Sequence, residues 1–400
     1  MNTQSALGLS AKLRLWAGAL LLFASVMTAY DLSTPGLLDR TGRVKGSDYI
    51  RLYVTGMLAG ERRWSEFFDG DAHVATARAT IDRGLGMTGL RPNYSPAVGL
   101  ALAPLSHLPF LASLYVFSVC SVIAFGGAVW LIVRAAGHLR SEVTTVALCA
   151  LAFPALLDTL RYGQLSAFTL FAFCLAAVLW RGDRRVTAGM ALGLVAYKPN
   201  LLVGPAIVLV AAGEWRTVVG LGLGALAESA VSLAFSGMAT MVHYVSTLTS
   251  LARDPGLVQI HPQELHSWRG LFQLVAPEPW AGALTLAATV ATLVIAALIW
   301  RRTLDWRLRW SALTVAAVLT SPHLLTYDLL LLALPLLLVA DWMIERKPPM
   351  PAGVWIGLLL VYLSPLVSPF VALVTHLQVS TLAMAWLLAY LARDPSHHSI

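Results

Sequence analysis

Apolar runs long enough to cross a hydrocarbon core as helices, such as residues 111–133 and 281–300, recur along most of this chain, and nothing else in the sequence restricts the fold so strongly. With 58% hydrophobic and only 12% charged residues, and a mean hydropathy of +0.71, 400 residues cannot hide their apolar surface in one aqueous core. Lipid must solvate it. A bilayer interior offers the backbone no hydrogen-bond partner, and the runs are continuous rather than alternating, so helices are expected and a barrel is not. The expected fold class is an all-α polytopic membrane protein, organised as a single integral membrane domain over residues 1–400.

Charge then sets the expected orientation. Lys12 and Arg14 precede the first run, residues 15–30, which lacks a small-residue cleavage site and reads as a retained span with a cytoplasmic N-terminus. Residues 31–93 are too polar to insert and form the first external loop; within it, 51–68 has a roughly helical apolar rhythm and is expected to lie along the membrane interface. Residues 94–110 contain Pro96, Pro104 and Pro109. If this stretch spans, the cluster Arg134, His138 and Arg140 falls outside; if it is re-entrant or interfacial, the cluster falls inside, as the positive-inside rule and the short length both favour. The further spans are then 111–133, 144–160, 166–180, 186–197, 201–212, 218–235, 281–300, 310–320, 324–343, 354–363 and 367–391, about twelve with the first and with both termini inside. Residues 236–280 make a second external loop. The turns at 181–185, 213–216, 301–309 and 345–347 and the tail from Arg393 carry much of the Lys and Arg, so the net charge of +7 reads as membrane orientation and not as a nucleic-acid footprint. Cys120, Cys149 and Cys174 all fall in apolar runs, where they are small core residues, neither a disulfide framework nor a zinc site.

Only positive charge was needed to set this topology, yet it puts the uncommon polar clusters on one side: Asp48 and Tyr49, Tyr94, residues 161–164, 198–200, 261–269 and 321–328. A one-sided set of acids, bases and amides marks a reaction or binding site; the competing explanation is a set of helix ends needing caps and interface anchors. Lys198 sits between two apolar helices, where a cation costs about 2.5 to 3.5 kcal/mol at the bilayer centre and so calls for an anion. A lipid phosphate would serve, with Arg161 and Arg269 able to contact it bidentately and His261, His266 and His323 able to donate or shuttle protons. Snorkelling to headgroups is the alternative for Lys198 and Arg161, and capping of the following helix near Arg51 is the alternative for Asp48. The histidines lack metal-ligand spacing, and no metal or cofactor is expected. Glu228, in the middle of an apolar run, reads as a structural or cavity-lining residue, with proton coupling as the transporter alternative. Asn93-Tyr94-Ser95 matches a glycosylation pattern formally but carries little weight, since Pro96 follows.

Several short motifs occur in a telling order: Ser47-Asp48-Tyr49, Tyr94-Ser95-Pro96 with Pro104-Leu105, Tyr162-Gly163-Gln164, Ala188-Gly189, Lys198-Pro199, Ser321-Pro322-His323 and Tyr327-Asp328. In this order and spacing the chain resembles glycosyltransferase family 87, membrane enzymes of the GT-C class that use a polyprenyl-phosphate sugar donor. Ser95-Pro96 departs from the paired prolines expected of the family. The resemblance implies a GT-C-like bundle that moves mannose or a similar sugar, with inversion, to a lipid-linked or cell-envelope glycan acceptor at the outer face of a bacterial inner membrane. It implies Asp48 as general base, a role typically worth about 10² to 10⁴ in rate. Lys198, Arg161 and Arg269 are then the donor-phosphate ligands, and Tyr49, Tyr94, Gln164, Asn200, His261, His266, His323 and Asp328 the substrate-binding set. Two rival readings are a transporter or flippase of an amphipathic glycolipid, with Lys198 and Glu228 along its path, and a non-catalytic assembly subunit.

Overall fold

The computed structural model describes residues 3–84, 86, 93–253, 260–347 and 351–393. Among these the chain is helical, with no strand beyond an isolated bridge between Leu38 and Val44. Helix α1 (Thr3–Leu32) leads to a group of short helices, α2 (Tyr49–Gly60), α3 (Gly70–Thr80) and α4 (Pro96–Leu102). There follow α5 (Phe110–Ala135), α6 (Val143–Leu151), α7 (Pro154–Tyr162), α8 (Ser166–Arg181), α9 (Arg185–Gly193), α10 (Val203–Ala212), α11 (Trp215–Arg253), α12 (Trp268–Val275), α13 (Trp280–Arg302), α14 (Trp306–Leu319), α15 (Ala333–Arg346), α16 (Ala352–Thr375) and α17 (Val379–Ala392).

Among the described residues six stretches are long and apolar enough to cross a membrane: Gly8–Leu32, Phe110–Ala135, Trp215–Leu251, Trp280–Arg302, Thr326–Arg346 and Ala352–Thr375. The pair Gly137–Leu151 and Pro154–Tyr162, bent by 47°, makes a seventh if it counts as one broken span. The expectation of about twelve crossings is therefore met only in part. Ser166–Arg181, Arg185–Tyr197, Pro199–Ala212 and Val379–Ala392 are apolar helices of 10–17 residues, and at 1.5 Å per residue they fall short of a hydrocarbon core of about 30 Å. Pro96–Leu102 is shorter still, with seven residues.

The core is built around α14 and the stretch Thr326–Leu332 that leads into α15. Trp310, Leu313, Val315 and Leu319 on α14 are buried together with Leu329, Leu330, Leu331 and Leu332. A helix apolar on every side belongs inside a bundle, and α14 accordingly packs against α10, α13, α15 and α17. At the periphery, α1 has only 6% of its apolar window buried, so it faces lipid along most of its length and is held by the Ser10 hydroxyl, which meets Glu142 and Thr145. The closest crossing joins α9 to α11, where Gly189 and Gly193 face Gly220 and Gly224. A Cβ on Gly189 would stand 2.0 Å from the Thr217 carbonyl oxygen, and one on Gly220 2.0 Å from that of Val186. Two small-xxx-small faces thus bring the backbones into contact, a device suited to a lipid milieu where burial by itself drives helices together weakly.

Two sequence expectations need revision. Residues 51–68 do not form one helix along the interface: α2 ends at Gly60, and Ile50, Leu52, Tyr53, Val54 and Leu58 are buried beneath α4 and α5, because the helix is apolar on nearly every face. Residues 236–253, the start of the expected second external loop, are helical and follow the first part of α11 across a kink at Gly237 (φ 78°, ψ 168°). The chain does not break at 364–366. α16 runs through Pro365 and Pro369 to Thr375, and the Ser364 hydroxyl serves the Val361 carbonyl, one of the ways a membrane helix accommodates proline.

The ends of the helices separate two chemistries. At one end Arg307 binds Asp305 and Asp341 at 2.7 Å each, Asp341 also accepts the His138 and Leu139 amides, and Glu214 accepts the Trp300 indole at 3.1 Å beside Arg185. These contacts gather the basic turns before α6, α9, α11 and α14. Gln164 and Ser166 stand at the start of α8, Lys198 follows α9, Ser321 follows α14 and Asp328 leads into α15, each at the helix end away from those turns.

Candidate active site

Asp48 stands at the start of α2, where a carboxylate ordinarily caps the helix. It does not: its φ and ψ are already helical (−82°, −24°) and its side chain caps no amide. The Asp48 carboxylate instead accepts a hydrogen bond at Oδ2 from the Gln164 side-chain amide at 2.6 Å, and the Gln164 carbonyl oxygen accepts the Tyr94 hydroxyl at 2.9 Å. The carboxylate, which only accepts, fixes which end of the amide is nitrogen and leaves the amide oxygen to the phenol. Oδ1 accepts no hydrogen bond among the described residues and is not buried.

Local geometry forces this meeting. Gly46 donates its amide to the Arg161 carbonyl at 3.2 Å, and Gly163 ends α7 with φ 70°, its missing Cβ only 2.6 Å from the Tyr49 Cβ. Any larger residue at 163 would meet both the left-handed conformation and the Tyr49 side chain. Tyr162-Gly163-Gln164 is thus a tight turn pressed against Ser47-Asp48-Tyr49.

The second half of the site is a buried ion pair. Lys198 lies between two 3₁₀ turns, Leu194–Tyr197 and Pro199–Leu201, and bonds Asp328; the two residues are 8% and 1% exposed. The Asp328 carboxylate also accepts the Ser166 hydroxyl at 2.8 Å, and the ammonium lies 5.5 Å from the centre of the Tyr327 ring. Asn200 donates to the Ser321 hydroxyl at 2.8 Å, tying the same two segments together again. The halves are continuous, since Gln164 and Ser166 are separated by one residue and both Asp48 and Asp328 act electrostatically on the Tyr94 and Tyr327 phenols. Tyr197 completes the wall, 6.5 Å from Tyr94 between ring centres.

Other expected residues are placed differently. The anion that Lys198 requires is supplied by Asp328 within the chain. The Arg161 guanidinium pairs with Asp31 at 3.0 Å and Asp39 at 3.6 Å. For Asp39 burial alone would raise the carboxyl's pKa, but the Thr41 hydroxyl, the Arg43 and Thr41 amides and Arg161 together hold it below the usual range. Tyr49 faces the core: its hydroxyl meets that of Ser113 at 2.7 Å, its ring lies 4.8 Å from that of Phe117, and burial pushes its phenol up to about 12. Arg269 on α12 donates to the Pro322 carbonyl at 3.3 Å. His266 is enclosed, with Nδ1 2.8 Å from the Ser380 hydroxyl, and burial pushes it down to about 3; His323 is pushed down to about 4 by burial and then by Arg269. Burial thus favours the neutral form of both rings. His261 is exposed just before the turn Pro262–Glu264.

Two residues went unnoticed in the sequence as parts of this cluster. Ser166 anchors Asp328, and Arg51 follows Asp48 by one helical turn, a spacing that was a readable signal. Ser95, where the motif departs from paired prolines, donates its hydroxyl to Glu228, and Ser232 accepts the Ala97 amide at 3.0 Å. Glu228 therefore fastens α4 to α11 through hydroxyls, in keeping with a structural role.

Against protein-family models the chain matches glycosyltransferase family 87 over residues 93–335. That range includes Tyr94, Gln164, Lys198 and Asp328 and stops short of Asp48. No curated protein and no solved structure matches the chain.

Proposed function

Since the chain belongs to glycosyltransferase family 87 and is thereby a membrane glycosyltransferase, we propose that it moves mannose or a similar sugar from a polyprenyl-phosphate donor to a lipid-linked or cell-envelope glycan acceptor, with inversion. The observation that carries this reading is the Asp48 carboxylate, oriented on one oxygen by the Gln164 amide and open on the other. The acceptor hydroxyl gives its proton to Asp48 as its oxygen bonds to the anomeric carbon. The bond from that carbon to the donor phosphate breaks, and its electron pair leaves with the polyprenyl phosphate. Of the two carboxylates here, Asp328 is engaged by Lys198 and Ser166, which leaves Asp48 to act as base. One base with displacement from the opposite face gives inversion through an oxocarbenium-like state.

The donor is a lipid, so the bilayer delivers it. The end bearing Asp48 faces outward from a bacterial inner membrane in this reading, with both termini and the basic turns in the cytoplasm; the segregation of Arg-rich turns to the far end of the helices supports it. The test is transfer by purified Asp48→Asn in nanodiscs supplied with a polyprenyl-phosphate mannose and a mannose-accepting glycolipid. Activity should drop about 10² to 10⁴-fold with the protein still monodisperse. Turnover at the wild-type rate would end the base assignment.

A further inference from the structure

The reaction needs a cation at the departing phosphate as well as a base, and the cations expected for that task are engaged elsewhere. Lys198 is bound by Asp328, Arg161 by Asp31 and Asp39, and Arg269 by the Pro322 carbonyl. Arg51 differs from all three. It is half-buried on α2, one turn after Asp48, and its guanidinium makes no hydrogen bond or ion pair among the described residues. Its Nε is fully buried and without a partner, an arrangement that costs free energy unless something else occupies the site. The Arg51 charge reaches both the Tyr94 and Tyr327 phenols, so it acts on the same space that Asp48 and Asp328 border.

We propose that Arg51 is the ligand of the donor's phosphate, an inference that rests on the glycosyl-transfer reading above. The terminal fork of a guanidinium matches two phosphate oxygens, and the positive charge stabilises the phosphate as it gains the electron pair of the broken bond. The spacing suits an in-line displacement. From base to phosphate ligand, two hydrogen bonds and the attack geometry together span roughly 10 Å. Cβ atoms three residues apart on a helix are about 5–6 Å apart, and the long arginine stem beside a short aspartate makes up the difference. Asp48 and Arg51 thus form a base and an anion clamp projecting from one turn of α2, with Lys198 and Asp328 as the already neutralised wall behind them.

The experiment compares binding of a polyprenyl monophosphate with that of the free polyprenol, by native mass spectrometry of the full-length protein in nanodiscs. Wild type should prefer the phosphate, and Asp48→Asn should keep that preference. Arg51→Gln should lose phosphate affinity by roughly 10- to 100-fold, the worth of a charge-assisted contact, while polyprenol binding stays unchanged. If Arg51→Gln fails to hold the polyprenol as well, Arg51→Met, which preserves the packing of the stem, takes its place under the same criteria. A phosphate preference that survives the loss of the guanidinium overturns the Arg51 assignment alone. A wild type that does not distinguish phosphate from alcohol overturns the donor reading and Arg51 with it.

Discussion

The Lys198–Asp328 pair gives the sharpest quantitative test of how this site is held together. At 8% and 1% exposure, both groups have exchanged water for each other, the Ser166 hydroxyl and the Tyr327 ring. Lys198→Met leaves a buried carboxylate with one hydroxyl donor; Asp328→Leu leaves a buried ammonium facing a ring. Each single change should cost about 3–5 kcal/mol, since an uncompensated charge remains. The double variant removes both charges and keeps similar volume, so it should cost far less than the sum of the singles. A coupling of at least about 2 kcal/mol is expected, well above the roughly 0.5 kcal/mol within which independent sites add. Thermal unfolding in nanodiscs, followed by tryptophan fluorescence, reads the effect as two large drops in midpoint and a partial recovery. Additive losses in the double variant would refute the argument, because the two groups would then not be each other's counter-ion.

Tyr94→Phe removes the donor that orients the Gln164 amide and should lower kcat by roughly tenfold with little change in KM, a split that steady-state transfer kinetics detects; an unchanged kcat means the relay is not needed. Gly220→Leu should abolish assembly, since the Val186 carbonyl occupies the space of even a Cβ, and size-exclusion chromatography would show aggregate; a monodisperse peak contradicts the α9–α11 contact. His266, held neutral with its pKa pushed down to about 3, binds fewer protons folded than unfolded. Its contribution is therefore full above the unfolded value near 6.5 and is lost as pH falls, by about 1.4 kcal/mol per pH unit between roughly pH 6 and 4. His266→Asn should flatten the midpoint-versus-pH curve over that window; an unaltered slope argues against a buried neutral ring.

Far-apart segments meet here for reasons that differ in how visible they were. The membrane class, the helical backbone and the grouping of Asp48, Gln164, Lys198 and Asp328 with their neighbours were legible, because apolar run length and the bias of Arg and Lys are local properties of the chain. The family was legible too, from the order of motifs such as Tyr162-Gly163-Gln164 and Lys198-Pro199. Span boundaries were less so. Proline at 365 reads as a break, and whether it breaks a helix depends on who satisfies the freed carbonyl.

By itself, then, the sequence determined the solvent, the backbone and the short list of groups from which a site could be drawn, since each follows from composition and spacing. Tertiary structure decided the pairing. Arg161 and Lys198 look alike as isolated cations near the ends of apolar helices, and only the folded chain gives one to Asp31 and Asp39 and the other to Asp328. Tyr49 and Tyr94 are equally plausible hydrogen-bond donors in a string of letters, yet one faces Ser113 in the core and the other Gln164 in the site. The physical reason is that a charge's partner is set by distances of a few ångströms between segments more than a hundred residues apart, and no local pattern encodes those distances. The same fact leaves Arg51, which the sequence offered only as a neighbour of a capping Asp48, without a counter-ion among the described residues.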